Sequence, residues 1–364
     1  MLQLRKYLPI SGILAGATLG AGIFALPYIA AVSGIWLVIG YTVVLALFVT
    51  VAHALYWRVL QATNTDEHLL SLTRRYLGVT MSRIGFIAIV VGLLLTLSAY
   101  LLLGMDFLSG LFGWSPNASL LIFWIICSLP IALKLRRFIE IEFGATVLMI
   151  LLVLTVLVTV PLQMASLRSI VWENFFLPFG PILFALAGWT AIEPMVSASK
   201  HDGINKWKAL LGGTFAVAII YILFMVGIGS VSHPITPDTL SGLTTLPFWK
   251  IGILLVFGLF AILTSYLPMS LEVKNALVGS LKWPKSLAFI FTLFMPYVLV
   301  LAGLNNFLQL IEIVGGVFLA IQYLIILLIA RVVLKPQGMW RVALDVLVIL
   351  FSLAMVYQIY ALWL

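Results

Sequence analysis

The stretch Gly16-Ala-Thr-Leu-Gly-Ala-Gly-Ile-Phe-Ala-Leu-Pro-Tyr28 places three glycines and a proline inside the first long apolar run of the chain. Glycine and proline weaken helices, and a backbone N–H or C=O group without a partner in lipid costs several kcal/mol. A broken helix is tolerated at membrane depth where its freed groups face protein, water or a bound solute, so such a break points to a binding site. The alternative is close helix packing, because Gly12, Gly16 and Gly20 repeat at intervals of four.

The composition places the whole chain in a membrane. Of its 364 residues 63% are hydrophobic and 9% are charged, and the mean hydropathy is +1.21. A soluble domain does not need that much apolar surface, whereas a helical membrane protein does. We therefore predict an all-α polytopic membrane protein.

The uncharged runs predict about eleven transmembrane spans. The 51 residues between Lys6 and Arg58 carry no formal charge and hold two spans, with a turn near Ser33. Nine further spans are expected in the ranges 83–106, 106–134, 142–168, 173–193, 208–238, 250–272, 286–312, 312–331 and 345–364. Uncharged runs of this length are typical of membrane helices. The longest loop, roughly residues 58–82, has room for a short interfacial helix, and residues 66–76 are amphipathic.

Positive charges orient these spans. With the N-terminus in the cytoplasm, 18 of the 20 lysines and arginines fall on the cytoplasmic side, and Arg168 and Lys250 fall outside. Cytoplasmic loops of membrane proteins carry such an excess of basic residues. The pattern predicts a multi-pass protein of the cytoplasmic membrane with its N-terminus inside and its C-terminus outside. The net charge of +8 is thereby explained by topology, and we expect the lipid bilayer and no nucleic acid as a partner.

Other functional classes lack support in the residues. The single cysteine, Cys127, excludes a disulfide framework or a cysteine metal cluster. The four histidines are scattered, and no two carboxylates stand three or four residues apart within a span. We therefore expect no catalytic residues, no enzyme activity and no cofactor.

Two glycine–proline pairs suggest an internal repeat. Gly22 is followed by Pro27 in span 1, and Gly188 is followed by Pro194 in span 6. If each of these glycine–proline pairs opens a block of five helices, the second block must be inverted in the membrane, because five is an odd number. Paired broken helices at corresponding positions are typical of inverted-repeat transporters. The expected organisation is one transmembrane domain, 1–364, with repeat 1 at about 7–163, repeat 2 at about 174–333 and an accessory helix at about 342–364.

Two polar features inside the spans are candidates for function. Glu193 lies in span 6 beside Pro194, which biases it away from helical geometry, and an ionisable group there is a candidate proton carrier. Its alternatives are access to water at the inner side or pairing with Lys200. Thr264 and Ser265 lie at mid-depth in span 8, where their hydroxyls either bond to their own helix or bind a small cation.

The segments 20–28 and 184–192, the latter followed by Lys200-His-Asp, resemble spans 1 and 6 of the amino acid–polyamine–organocation (APC) superfamily. Span 1, with the loop ending Arg74-Arg-Tyr-Leu-Gly78, is similar to the amino acid/auxin permeases and the aromatic amino acid permeases. The resemblance covers spans 1 to 10. It implies the leucine-transporter fold, in which five helices are followed by five inverted helices and then by an accessory eleventh helix.

The resemblance also implies a substrate site and a cation site. The broken span 1 would hold a substrate carboxylate on backbone N–H groups, and carbonyls of span 6 would hold the ammonium group. The substrate residues carried over are Thr18, Gly20, Ala21, Gly22, Phe184, Ala187, Gly188 and Trp189. Trp189 falls at the aromatic gating position, although it is equally an ordinary packing residue. The cation residues carried over are Gly16, Leu19, Ala261, Thr264 and Ser265, which would bind Na⁺. Proton-coupled relatives keep similar hydroxyls, so Na⁺ coupling and proton coupling through Glu193 both remain open.

These expectations describe a cation-coupled amino acid permease that works by alternating access. Pocket walls rich in aromatic and aliphatic side chains favour a neutral substrate, hydrophobic or aromatic, although Glu193 keeps a cationic one open. The alternative is a non-transporting, amino-acid-sensing receptor subunit of the same fold, similar to spore germinant receptors.

Overall fold

The computed structural model describes residues 2–63, 68–132, 170–199, 206–229, 235–239 and 246–361, with single positions at 151, 154, 155, 158 and 242. Within these ranges the chain is helical and contains no strand. The helices are α1 (Leu2–Thr18), α2 (Leu26–Ser33), α3 (Ile35–Thr63), α4 (Leu69–Phe112), α5 (Pro116–Ala132), α6 (Phe179–Leu186), α7 (Ile192–Ser199), α8 (Lys206–Gly229), α9 (Phe248–Ser280), α10 (Lys285–Leu301), α11 (Phe307–Ile313), α12 (Ala320–Leu334) and α13 (Met339–Ala361).

The first span is broken where the sequence predicts. Helix α1 ends at Thr18, Gly20 is extended (φ −126°, ψ −162°), and a 3₁₀ turn over Ala21–Ala25 leads into α2. The two parts of the span are bent by 47°. Pro27 lies in the first turn of α2, where its missing N–H has no helical partner to lose.

The sixth span is broken as well, but at a different residue from the one that the proline suggests. Helix α6 ends at Leu186, Ala187 is extended (φ −68°, ψ 116°), and Gly188 carries the chain into a 3₁₀ turn over Trp189–Ala191. Glu193 is helical, in the first turn of α7, so the expected departure from helical geometry at Glu193 was wrong. Pro194 is accommodated because the first helical turn needs no proline N–H.

The interfacial segment and the third span form one long helix with a hinge. Helix α4 begins at Leu69, and Gly78 within it has φ 86° and ψ −178°, outside the helical region. Glycine is suited to this position because a left-handed φ carries no steric cost without a Cβ atom. The described part of the predicted amphipathic segment therefore precedes the hinge, and the span follows it.

Membrane-length helices agree with most of the predicted spans. Seven described helices are long and apolar enough to cross a membrane, or eight with the bent first pair, and two shorter apolar helices cover Pro116–Ile131 and Lys285–Leu301. The predicted fifth span, 142–168, lies almost entirely outside the described residues. A π-helical segment, Val314–Leu319, joins α11 to α12. The all-α prediction and the interruption of spans 1 and 6 are confirmed, whereas the repeat boundaries stay a prediction.

Candidate functional site

The two broken helices approach each other at their glycines. A Cβ atom built on Gly22 would lie 2.6 Å from the Cα atom of Ala185 in α6. A Cβ atom on Gly188 would lie 2.5 Å from the hydroxyl oxygen of Thr18 at the end of α1. Both distances are far below van der Waals contact, so a side chain at either position would force the neighbouring group to shift. At Gly22 the close neighbour is helix backbone, so Gly22 lets the first break pack closely against α6.

Gly20 differs from Gly22 because its neighbours are hydroxyl groups. A Cβ atom on Gly20 would lie 2.8 Å from the Tyr100 hydroxyl of α4 and 3.1 Å from the Ser265 hydroxyl of α9. The Tyr100 ring also meets Phe184 edge to face, with centroids 6.2 Å apart. The structure thus brings the first break, α4, α6 and α9 to one buried point.

A buried tyrosine joins the two breaks directly. The Tyr221 hydroxyl in α8 lies 2.6 Å from the carbonyl oxygen of Thr18 and 2.9 Å from that of Ala185. Because a hydroxyl has one proton, it donates to one of these carbonyls at a time. Carbonyls freed at the end of each half-helix would otherwise lack partners in an apolar interior. Tyr221 was not among the predicted site residues.

Histidine and tyrosine side chains lie behind the second break. His53 Nε2 is 3.0 Å from the Tyr323 hydroxyl, which also interacts with the backbone of Gly188. Both side chains are fully buried. His53 Nδ1 has no hydrogen-bond partner among the described residues. His53 and Tyr323 were not among the predicted site residues, although a histidine and a tyrosine inside apolar spans could have indicated them.

Trp189 is buried and held by a hydrogen bond. Its indole N–H donates to Gln322 Oε1 at 2.7 Å, and the Gln322 amide donates to the carbonyl of Ala88 at 2.8 Å. Trp189 is 1% exposed. This chain of hydrogen bonds links α12, α4 and the second break, and the gating role of Trp189 stays a prediction.

The predicted cation residues lie where α1 ends beside α9. The Thr264 hydroxyl lies 3.1 Å from the carbonyl oxygens of Phe260 and Ala261 and donates its proton to one of them at a time. The Ser265 hydroxyl is buried and makes no hydrogen bond of normal geometry to the described residues, although Tyr100 lies nearby. A buried hydroxyl with free lone pairs fits a hard cation, which prefers oxygen ligands. Gly16, Leu19 and Ala261 are buried as well.

Glu193 belongs to a polar network rather than standing alone. The Tyr56 hydroxyl of α3 donates to Glu193 Oε1 at 2.6 Å, and His68 Nδ1 lies 2.6 Å from Glu193 Oε2. Glu272 of α9 is close enough to interact electrostatically with Glu193 and His68. The hydrogen bond to Glu193 raises the pKa of His68, just outside the span, to about 9. Lys200, the partner weighed from the sequence, lies outside the described residues.

Among the described residues, no group of three histidine, cysteine or carboxylate side chains is placed to hold a metal ion. The available chemistry is therefore backbone amides and carbonyls at two helix breaks, hydroxyls beside one of them, and one carboxylate network.

Solved structures with the same fold belong to transporters. MhsT in complex with L-phenylalanine is 16% identical and has a TM-score of 0.65, over 97% of this chain and 98% of that one. A manganese transporter from Eremococcus coleocola is 13% identical, with a TM-score of 0.68 over 98% and 87% of the two chains. A Na⁺-coupled sialic acid symporter is 14% identical, with a TM-score of 0.63 over 88% and 78%. Their differing substrates show that this fold does not determine what is carried.

The fold and the paired breaks are of the leucine-transporter type. Residues 5–363 match the tryptophan/tyrosine permease family, so the chain belongs to that family. No individually curated protein matches the sequence. The family agrees with the predicted resemblance to aromatic amino acid permeases. Membership of the APC superfamily and the similarity to amino acid/auxin permeases stay predictions.

Proposed function

We propose that this protein is a cation-coupled permease for aromatic amino acids, working by alternating access in the cytoplasmic membrane with its N-terminus inside. The observation that carries the proposal is the match of almost the whole chain to the tryptophan/tyrosine permease family. The meeting of two helix breaks at Gly22 and Gly188 supports it, because transporters of this architecture bind substrate where broken helices meet.

The first break offers a site for the substrate carboxylate. The N–H groups of Ala21 and Gly22 begin a 3₁₀ turn, so they have no preceding helical carbonyl to bond. A helix start that presents such N–H groups attracts an anion. We assign the carboxylate to Gly20, Ala21 and Gly22, with Thr18 beside them.

The second break offers carbonyl oxygens for the substrate ammonium group. Helix α6 ends at Leu186, where the carbonyl of Phe184 accepts from the N–H of Ala187 at 3.4 Å and keeps a second lone pair. We assign the ammonium group to the backbone of Phe184, Ala187 and Gly188. Phe184 and Tyr100, which meet edge to face, supply an apolar wall for an aromatic side chain.

Two coupling sites compete. Na⁺ would bind the carbonyls of Gly16, Leu19 and Ala261 and the hydroxyls of Thr264 and Ser265. The buried Ser265 hydroxyl, which makes no hydrogen bond of normal geometry to the described residues, supports this site. A proton would instead be carried by Glu193, which two hydrogen bonds hold at the inner part of span 6. In both cases the ion drives accumulation of substrate.

Uptake into proteoliposomes tests the proposal. Purified protein should accumulate labelled tryptophan, tyrosine or phenylalanine, but neither lysine nor glutamate, when an inward Na⁺ or proton gradient is imposed. Gly188→Ala should abolish uptake, because its methyl group would displace the Thr18 hydroxyl at 2.5 Å. Gly252→Ala is the matched control, since nothing lies within 4 Å of its added carbon, and it should transport normally.

Two outcomes would contradict the proposal in different ways. Folded protein that binds an aromatic amino acid and never moves it across the membrane would favour the receptor alternative. Folded protein that neither binds nor transports any aromatic amino acid would remove the substrate assignment.

A further inference from the structure

A crevice of about 720 Å³ lies between the first turns of α4 and the end of α9, away from the helix breaks. Its lining joins charged, hydroxyl and apolar side chains, and comprises Leu70, Ser71, Arg74, Arg75, Val79, Ser82, Arg83, Phe86, Ile87, Gly279, Ser280, Leu281 and Lys282. The α4 hinge at Gly78 creates this shape, because it turns the segment with Arg74 away from the span that carries Arg83.

The crevice concentrates positive charge. Arg74, Arg75, Arg83 and Lys282 line it, and no carboxylate does. Among the described residues, Arg74, Arg83 and Lys282 have no acidic partner within ion-pair distance. Serine hydroxyls at Ser71, Ser82 and Ser280 add hydrogen-bond donors beside the charges. Such a set of donors suits a phosphate group.

One rim of the crevice is apolar and exposed. Val79 is 54% exposed, Ile87 is 55% exposed and Leu281 is 47% exposed. Ile87 belongs to the apolar span that follows the hinge, and Val79 lies between the hinge at Gly78 and Arg83, so the exposed apolar rim leads from the charged groups toward the hydrocarbon region of a bilayer. Charge and apolar surface in one crevice match a ligand that is itself amphiphilic. A free inorganic phosphate would use the charges and leave the apolar rim without a role.

We propose that this crevice binds the phosphate headgroup of an anionic phospholipid, with an acyl chain lying along Val79 and Ile87. Under the proposed topology, the lipid comes from the cytoplasmic leaflet. Basic pockets between membrane helices on that side bind anionic headgroups. The site is independent of the transported substrate.

Native mass spectrometry of the purified protein tests the site with phosphatidylglycerol and phosphatidylcholine as probes. Wild-type protein should retain phosphatidylglycerol in preference to phosphatidylcholine. Arg83→Gln with Lys282→Gln should weaken phosphatidylglycerol binding by about 25-fold, because each basic residue near an anionic surface contributes about fivefold. The exchange Arg83→Lys with Lys282→Arg keeps the charge and should keep the binding within about twofold.

A second pair of substitutions controls for total charge. Lys285→Gln with Lys335→Gln removes two exposed positive charges outside the crevice lining. Lys335 and Lys282 both have a positive φ, so the two double variants are also matched in backbone geometry. Equal loss of phosphatidylglycerol in both double variants would overturn the site. Displacement of the lipid by millimolar inorganic phosphate would also overturn it, because the apolar rim would then contribute nothing.

Discussion

At the scale of single residues, Gly22 packs against α6 in addition to its proposed contact with the substrate carboxylate. Gly22→Ala should lower the free energy of unfolding by about 1–3 kcal/mol, which is typical of overpacking, because its methyl group would lie 2.6 Å from the backbone of Ala185. Thermal unfolding in detergent measures this. Gly40→Ala is the control, since nothing lies within 4 Å of that added carbon. Equal stability of the two variants would show that the breaks do not pack as described.

Gly20 should respond differently from Gly22. The neighbours of its added carbon are the side-chain hydroxyls of Tyr100 and Ser265, which can move more easily than backbone. Gly20→Ala should therefore leave most of the stability intact and reduce substrate affinity and uptake. Binding and unfolding measured on the same preparation separate the two effects. A loss of stability as large as that of Gly22→Ala, with normal binding in the folded fraction, would contradict this assignment.

His68 should titrate well above an ordinary histidine. Its hydrogen bond to Glu193 raises its pKa to about 9, from a usual value of about 6.5. The charged bridge is therefore complete below pH 6.5, and its stabilising contribution is lost as the pH rises through 9. NMR titration of labelled histidine should show a midpoint near 9, and Glu193→Gln should move it toward 6.5. A wild-type midpoint near 6.5 would contradict the bridge.

At the scale of helices, the sequence predicts that spans 1 and 6 are broken. It does not predict which residues contact the breaks. Gly20, Gly22 and Gly188 identify both interruptions because a glycine in an apolar run weakens a helix wherever it occurs. Pro194 misplaces the second break, since proline at a helix start is harmless. The glycines therefore predict that each span is interrupted. In span 6 the break lies at Ala187 and Gly188, before Pro194, which belongs to the first turn of α7.

Which side chains form hydrogen bonds between helices depends on how each helix is rotated about its axis. The sequence of a uniformly apolar span does not determine this rotation. Tyr221 bonds to Thr18 from 203 residues away, and Tyr56 reaches Glu193 across 137 residues. Spans that are hydrophobic on all sides have little periodicity to show which face is buried. Tyr221, His53 and Gln322 were missed for this reason, although polar groups in apolar spans deserve suspicion.

The competing coupling sites lie on different helices, so substitutions separate them. If Na⁺ drives transport, Thr264→Ala with Ser265→Ala removes two of the five proposed oxygen ligands, and the Na⁺ concentration for half-maximal uptake should rise roughly tenfold or more. Ser270→Ala is the control, because Ser270 donates to its own helix at Tyr266. If protons drive transport, Glu193→Gln should keep substrate exchange and lose gradient-driven accumulation. Unchanged Na⁺ stimulation in the double variant would exclude the Na⁺ site.

At the scale of the whole molecule, the topology is the largest prediction from charge. The 18-to-2 distribution of basic residues places the start of α8 inside and the segment 235–239 outside. Helix α8 has 24 residues, about 36 Å at 1.5 Å per residue, which is long enough to separate the two by a bilayer. The two ends of α8 therefore report the orientation of the whole bundle.

Cysteine labelling in intact cells measures that orientation. Cys127, which is buried and is the sole cysteine, is first replaced by serine, and single cysteines are then introduced as Lys208→Cys and Pro237→Cys, both at exposed positions. An impermeant thiol reagent added outside should label position 237 and spare position 208, while permeabilised cells should show labelling at both. Labelling of position 208 from outside would invert every loop, because consecutive spans alternate in direction. The crevice at Arg83 would then face the outer leaflet, so this one measurement also decides which leaflet supplies its lipid.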